Sequence, residues 1–150
     1  MRKKSKSNKK PFYPVNSPNI IKKDIDSVNQ VLKSGWISSD GPEIKKFEEN
    51  FSRFIGRKYS VAVSSGTAAL EIAIKALNIK ENDEVLIPNF TIISNALAVI
   101  KQRLKPVLID CNLKDWNIKI EDIEKNISKK TKAIIITHIY SFPNEMHKIL

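Results

Sequence analysis

From Tyr59 onward short apolar runs alternate with longer segments of helical spacing, and that alternation leaves few folds open. Candidate strands fall at residues 60–63, 84–87, 106–109 and 133–137, each dominated by small or branched apolar side chains. Residues 67–77, 91–101 and about 120–127 read as helices between them. Strands separated by helices need crossover connections, which join parallel neighbours. Helices then cover both faces of the sheet, so its strands read as near-continuous Val/Ile runs, as these do. The expectation is an α/β fold in three layers, α/β/α, around a mostly parallel sheet.

Two amphipathic helices precede this region. Ile21, Ile25, Val28 and Leu32 recur at helical spacing across residues 22–34, and Gly35 supplies a stop. Gly41 and Pro42 open the second, whose Ile44, Phe47, Phe51 and Phe54 form one apolar stripe ending at Gly56. Residues 1–13 read as a basic tail ahead of a partial domain over 14–150. Of 26 Lys and Arg residues six lie in the first ten positions, so the net charge of +10 leaves only +4 for the rest. No aromatic residues interleave with those charges to stack on bases, and no nucleic-acid partner is expected. No apolar stretch approaches the ~18 residues of a membrane span, and Pro11, Pro14 and Pro18 interrupt any signal-like run. The expected setting is cytoplasmic, with no membrane partner. The single cysteine, Cys111, has no disulfide mate and no metal-site spacing around it.

In open α/β sheets ligands bind at the carboxyl ends of the strands, which directs attention to residues 64–68, 88–91, 110–112 and 138–140. The first of these, Ser64-Ser65-Gly66-Thr67-Ala68, is a turn of small residues feeding an apolar helix. Helix N-termini offer unpaired N–H groups and a positive dipole end, and Gly66 lets an anion approach the backbone. Two readings stay open on chemistry alone: a phosphate cradle, or a helix capped by Ser or Thr. GxxxxGK[ST] and GxGxxG are both absent, which excludes a Walker P-loop and a dinucleotide fingerprint.

The run SSGTAALEIAIKAL, with FIGRKYSVAV before it and NDEVLIPNFTIISNALAVI after it, resembles the DegT/StrS family of nucleotide-sugar aminotransferases. KPVLIDCNLKDWNIKIEDIEKNISKKTKAIIITHIYSFPNEM continues the family's order of strand, acidic turn, "W-N" segment, helix, "TKAI" strand and "H-x-Y-G" turn. LKSGWISSDGPEIKKFEENF is similar to its "SGW … GP … FE" opening, closest to members that aminate 4-keto-6-deoxy sugars, as in perosamine synthesis. The resemblance covers about residues 14–150. It implies the N-terminal part of a fold type I aminotransferase large domain, with pyridoxal 5′-phosphate as cofactor.

The resemblance also implies roles. Gly66, Thr67 and Ala68 match the turn that binds the cofactor phosphate. Ile92 falls where many members place an aromatic ring on the pyridine face; the alternative is a core helix residue. Trp36, Ser38 and Ser39 match a loop that in relatives lies near the active site at a subunit interface, and a structural linker is the other reading. His138, Asp110, Trp116 and Asn117 are expected to be structural. Leu104 is taken to stand where relatives have glycine, and Ser141 and Glu145 replace the glycine and aspartate of the "H-x-Y-G … D-M" segment.

In relatives the lysine that carries the cofactor, and the carboxylate that faces the pyridine nitrogen, lie downstream of these motifs. No catalytic residue and no metal ligand is therefore expected in this chain, which reads as a fragment inactive alone. The parent activity would move an amino group from glutamate to a nucleotide-linked 4-keto-6-deoxy sugar, in a homodimer when complete. A remnant that binds phosphate without turnover, one half of a split enzyme, and a sugar dehydratase using the same cofactor are the alternatives.

Overall fold

A computed structural model describes residues 12–150, so most of the basic tail lies outside the described residues. The chain divides into two compact units, one up to Ala62 and one from Val63.

In the first unit α1 (Lys22–Ser34) and α2 (Pro42–Phe54) have the bounds their caps dictate. The Ile21 N–H donates to Asp24 Oδ2 at 3.0 Å, and Gly35, at φ 75°, turns the chain out of α1. Gly41 precedes Pro42 in a close turn: a Cβ there would press on the carbonyl oxygens of Ser38 and Trp36 at 3.2 Å. The apolar stripes of both helices remain exposed, with Phe47 and Phe51 stacked one turn apart at 5.9 Å.

Residues 60–63 were expected as a strand and are not one. A strand exists only by laddering with a neighbour, and no described segment pairs with this one. Glu48 of α2 takes up its polar groups instead. The Ser60 hydroxyl donates to the Glu48 carbonyl at 2.6 Å and the Ala62 N–H to Glu48 Oε1 at 2.8 Å.

The second unit is the expected three-layer sandwich. Strands β1 (Glu84–Pro88), β2 (Lys105–Ile109) and β3 (Thr131–Ile134) form a parallel sheet in the order β2-β1-β3. Helix α3 (Gly66–Ala76) precedes it, α4 (Ser94–Lys101) joins β1 to β2, and α5 (Ile120–Asn126) joins β2 to β3. A short 3₁₀ turn at Ile139–Ser141 and α6 (Met146–Ile149) follow. Every residue of β1 is buried, and its pleat divides them between two cores. Val85 and Ile87 pack with Ile74, Ala98 and Val99 of α3 and α4, while Leu86 packs with Ile109, Ile118 and Ile123 of the α5 side. Each fully buried Val, Leu or Ile side chain among them stabilises the fold by roughly 1.5–3 kcal/mol.

One detail differs from expectation. The β3 ladder ends at Ile134 rather than at residue 137, although the Ile135 N–H still donates to the Leu86 carbonyl at 2.9 Å. The turn before β2 has a left-handed residue at Arg103 (φ 57°), and the next residue, Leu104, is buried against α4 and β1. Ser141 does occupy a glycine-favouring conformation, at φ 66°.

Candidate functional site

The chain passes from β1 to β2 on one side and then across to β3 on the other, so the strand order reverses at β1. Crevices for ligands form at the carboxyl ends of the strands beside such a reversal, here β1 and β3. The residues just beyond those ends are tied by side chains. Thr91 Oγ1 and Thr137 Oγ1 are 3.1 Å apart, and the buried Asn95 amide donates to both hydroxyls, at 3.0 and 2.9 Å. This clamp fixes the start of α4, whose first residue is Ser94.

The N-terminus of α3 is capped and still leaves N–H groups without a partner among the described residues. Ser65 is the N-cap, and its hydroxyl accepts from the Ala68 N–H at 3.2 Å while its carbonyl accepts from Ala69. Among the described residues the Gly66 and Thr67 N–H groups have no partner, so two donors of the first turn stay available. A Cβ on Gly66 would project into open space, which is room an anion can take against the backbone. Gly66, Thr67, Ile92 and Ser94 line one open cleft of about 620 Å³ with Ala69, Leu70 and Ala73. Its lining combines the Thr67 and Ser94 hydroxyls with a mostly apolar surface to which Ile92, 66% exposed, contributes an aliphatic face. No lysine lines it among the described residues.

Of the sequence candidates, then, Gly66, Thr67 and Ile92 come together. Ala68 sits in the same turn with its N–H already used, so it contributes to the cap more than to the cleft. Ile92 is not a core residue. Trp36, Ser38 and Ser39 belong to the first unit, where Trp36 is exposed and Ser38 accepts from Gly41 at 3.1 Å. Ser94, absent from the sequence reading, is the one cleft hydroxyl that was missed. Its bond to Thr67, 2.9 Å across 27 residues of chain, leaves no sequence signal.

The residues after β2 and β3 are held by a second polar network. Asn117 and Asn144 are both buried, and Asn144 Nδ2 donates to the Thr137 carbonyl at 2.8 Å and to Asn117 Oδ1 at 3.2 Å. His138 Nδ1 accepts the Asn144 backbone N–H at 3.1 Å, which ties this ring into the same network. Trp116, at φ 63°, packs on Phe90 with ring centroids 5.0 Å apart. No group of three metal-ligating side chains occurs among the described residues.

Comparison with known proteins gives this geometry a context. Residues 18–150 match the DegT/DnrJ/EryC1/StrS aminotransferase family. A GDP-perosamine synthase of Escherichia coli O157:H7 is 39% identical over 139 residues, covering 93% of this chain and 38% of its own. The crystal structure of an aminotransferase from Psychrobacter cryohalolentis superimposes with a TM-score of 0.83 at 32% identity, over 93% of this chain and 35% of that one. An E. coli GDP-4-keto-6-deoxy-D-mannose-3-dehydratase with bound hydrated PLP does so with a TM-score of 0.83 at 27% identity, over 92% and 37%. The chain thus spans little more than a third of the length of these relatives.

Proposed function

The chain belongs to the DegT/DnrJ/EryC1/StrS aminotransferase family, and from that premise we propose that it supplies the phosphate-binding part of a sugar aminotransferase dependent on pyridoxal 5′-phosphate. Residues 14–150 serve as the N-terminal part of its large domain. The carrying observation is the cleft that unites the free Gly66 and Thr67 amides, the Thr67 hydroxyl and the face of Ile92. When bound, the cofactor's ring serves as an electron sink for moving an amino group. The residues of this chain bind and orient: the two amides and the α3 dipole hold the phosphate dianion, and Ile92 covers one side of the ring. The Thr91–Thr137–Asn95 clamp keeps the two strand ends and the start of α4 in fixed relation.

The amino donor is glutamate and the acceptor a nucleotide-linked 4-keto-6-deoxyhexose. The GDP-perosamine synthase relative supports the sugar class. Trp36, Ser38 and Ser39 form a substrate-side or interface loop of a homodimer. With no lysine on the cleft among the described residues, this chain binds cofactor without completing the transfer alone. The complete protein containing it, mixed with cofactor, glutamate and a nucleotide 4-keto-6-deoxyhexose, should yield a nucleotide-linked amino sugar by mass spectrometry. A deoxygenated keto sugar would instead identify the chemistry of the E. coli dehydratase relative, and no product with any keto sugar would refute both.

A further inference from the structure

We propose that Ser94 is a positioning residue for the anion cradle. Through the Thr67 hydroxyl it sets the direction and strength of one donor aimed at the phosphate, and it joins the N-terminus of α4 to that of α3 at the same site. This rests on the cofactor reading above.

The two hydroxyls come from different helices and meet at 2.9 Å, and both line the cleft with Gly66 and Ile92. Thr67 is the second residue of the eleven-residue α3, and Ser94 the first of the eight-residue α4. Two positive helix ends therefore flank the pair. Helix hydroxyls elsewhere in the chain behave differently. Those of Ser27, Ser34 and Ser52 donate back to carbonyls three or four residues earlier in their own helices. Thr67 and Ser94 make no such bond among the described residues, and each hydroxyl has the other as its partner.

The proton count gives the pair its use. Two hydroxyls carry two protons, one of which lies between the oxygens, leaving one O–H free to turn toward the cleft. With a phosphate dianion present, Ser94 donates to Thr67 Oγ1 and the Thr67 O–H donates to the anion. The first bond polarises the second and strengthens it. Without Ser94 the Thr67 hydroxyl loses both its polarising donor and the contact that fixes its rotamer.

The test compares pyridoxal phosphate with pyridoxal, which lacks the phosphate, in equilibrium binding to the complete protein, with the ³¹P resonance of bound cofactor as a second readout. Ser94→Ala should weaken pyridoxal phosphate about 5- to 10-fold, the scale of one ordinary net hydrogen bond, leave pyridoxal unchanged and shift the ³¹P resonance. Ser94→Thr should restore affinity to within about twofold. In combination with Thr67→Val, Ser94→Ala should cost nothing more, since the relay is already broken. An unchanged affinity in Ser94→Ala, or an equal loss for pyridoxal, overturns this assignment alone. Failure of the unsubstituted protein to bind pyridoxal phosphate overturns the cofactor reading and this assignment together.

Discussion

The two buried asparagines beyond the strand ends should respond to the same substitution in opposite ways. Asn95 and Asn144 are 3% and 7% exposed; Asn95 Nδ2 donates to two acceptors, and Asn144 Nδ2 to two with His138 Nδ1 also within 3.2 Å. The acceptors differ in kind. Those of Asn95 are the Thr91 and Thr137 hydroxyls, which rotate and become donors when a carboxylate replaces the amide. Those of Asn144 are the Thr137 carbonyl and Asn117 Oδ1, with His138 Nδ1 beside them already accepting the Asn144 backbone N–H; none of these has a proton to give, and Asn117 Nδ2 is held by the Pro143 carbonyl at 3.2 Å. In Asn95→Asp two charge-assisted bonds, at roughly 1.5–3 kcal/mol each, offset most of the burial cost and leave a net loss of about 1–2 kcal/mol. Asn144→Asp loses two bonds and places an uncompensated charge against oxygen, a loss of roughly 3–5 kcal/mol. The difference, about 2–3 kcal/mol, corresponds to about 5–10 °C in Tm for a chain of this size.

Acidity supplies the control. The new carboxyl at 144 has its folded-state pKa raised above the ordinary ~3.9, because only its protonated form can donate to the Thr137 carbonyl. Its contribution is therefore fully present below about pH 3.9 and is lost as pH rises through the folded-state value. Urea unfolding of both variants across pH should show Asn144→Asp recovering relative to Asn144→Ala on acidification, while Asn95→Asp shows no such gain. Equal losses at neutral pH, or no recovery at 144, would refute the hydrogen-bond directions on which this rests.

Further expectations concern single positions. Gly66→Ala should leave unfolding unchanged, since its Cβ meets nothing within 4 Å, yet weaken pyridoxal phosphate more than pyridoxal by filling the anion's place. Ile92→Phe should tighten both ligands equally, by roughly 2- to 10-fold, because a stacked ring acts on the pyridine and not the phosphate. Arg103→Gly should raise stability by about 1 kcal/mol in chemical unfolding, relieving a left-handed arginine whose ion pair with Glu81 is exposed. Glu84 accepts the Ser128 hydroxyl at 2.6 Å, and that bond, aided by Lys105, holds its carboxyl below the usual value of 4.5. Its stabilising effect is present above that range and lost as pH falls through the lowered value, so Ser128→Ala should flatten the acid limb of the stability profile.

The residues differ in how legible they were. Helices α1 to α3 were readable because caps and apolar spacing are local: Pro42, Gly35 and Ser65 mark ends that the structure keeps. Strands β1 and β2 were readable because burial on both faces leaves a continuous apolar run. Residues 60–63 carry the same run and form no strand, since pairing depends on a neighbour that hydrophobicity does not encode. The left-handed backbone at Arg103 was not legible, because an arginine carries no sequence sign of a positive φ. In the cleft, Gly66 and Thr67 stood out as a small-residue turn before a helix. Ser94 did not, because a hydroxyl bond between two helices arises from packing alone.

The cradle itself is tested most directly by titrating the ¹⁵N-labelled 17.1 kDa chain with pyridoxal phosphate and following each amide resonance. Binding on the α3 terminus should move Gly66 and Thr67 most, with Ile92 and Ser94 next, and pyridoxal should leave the first two nearly still. Largest shifts around Trp116 and Tyr140, or none at Gly66, would contradict the assignment of the phosphate to this turn.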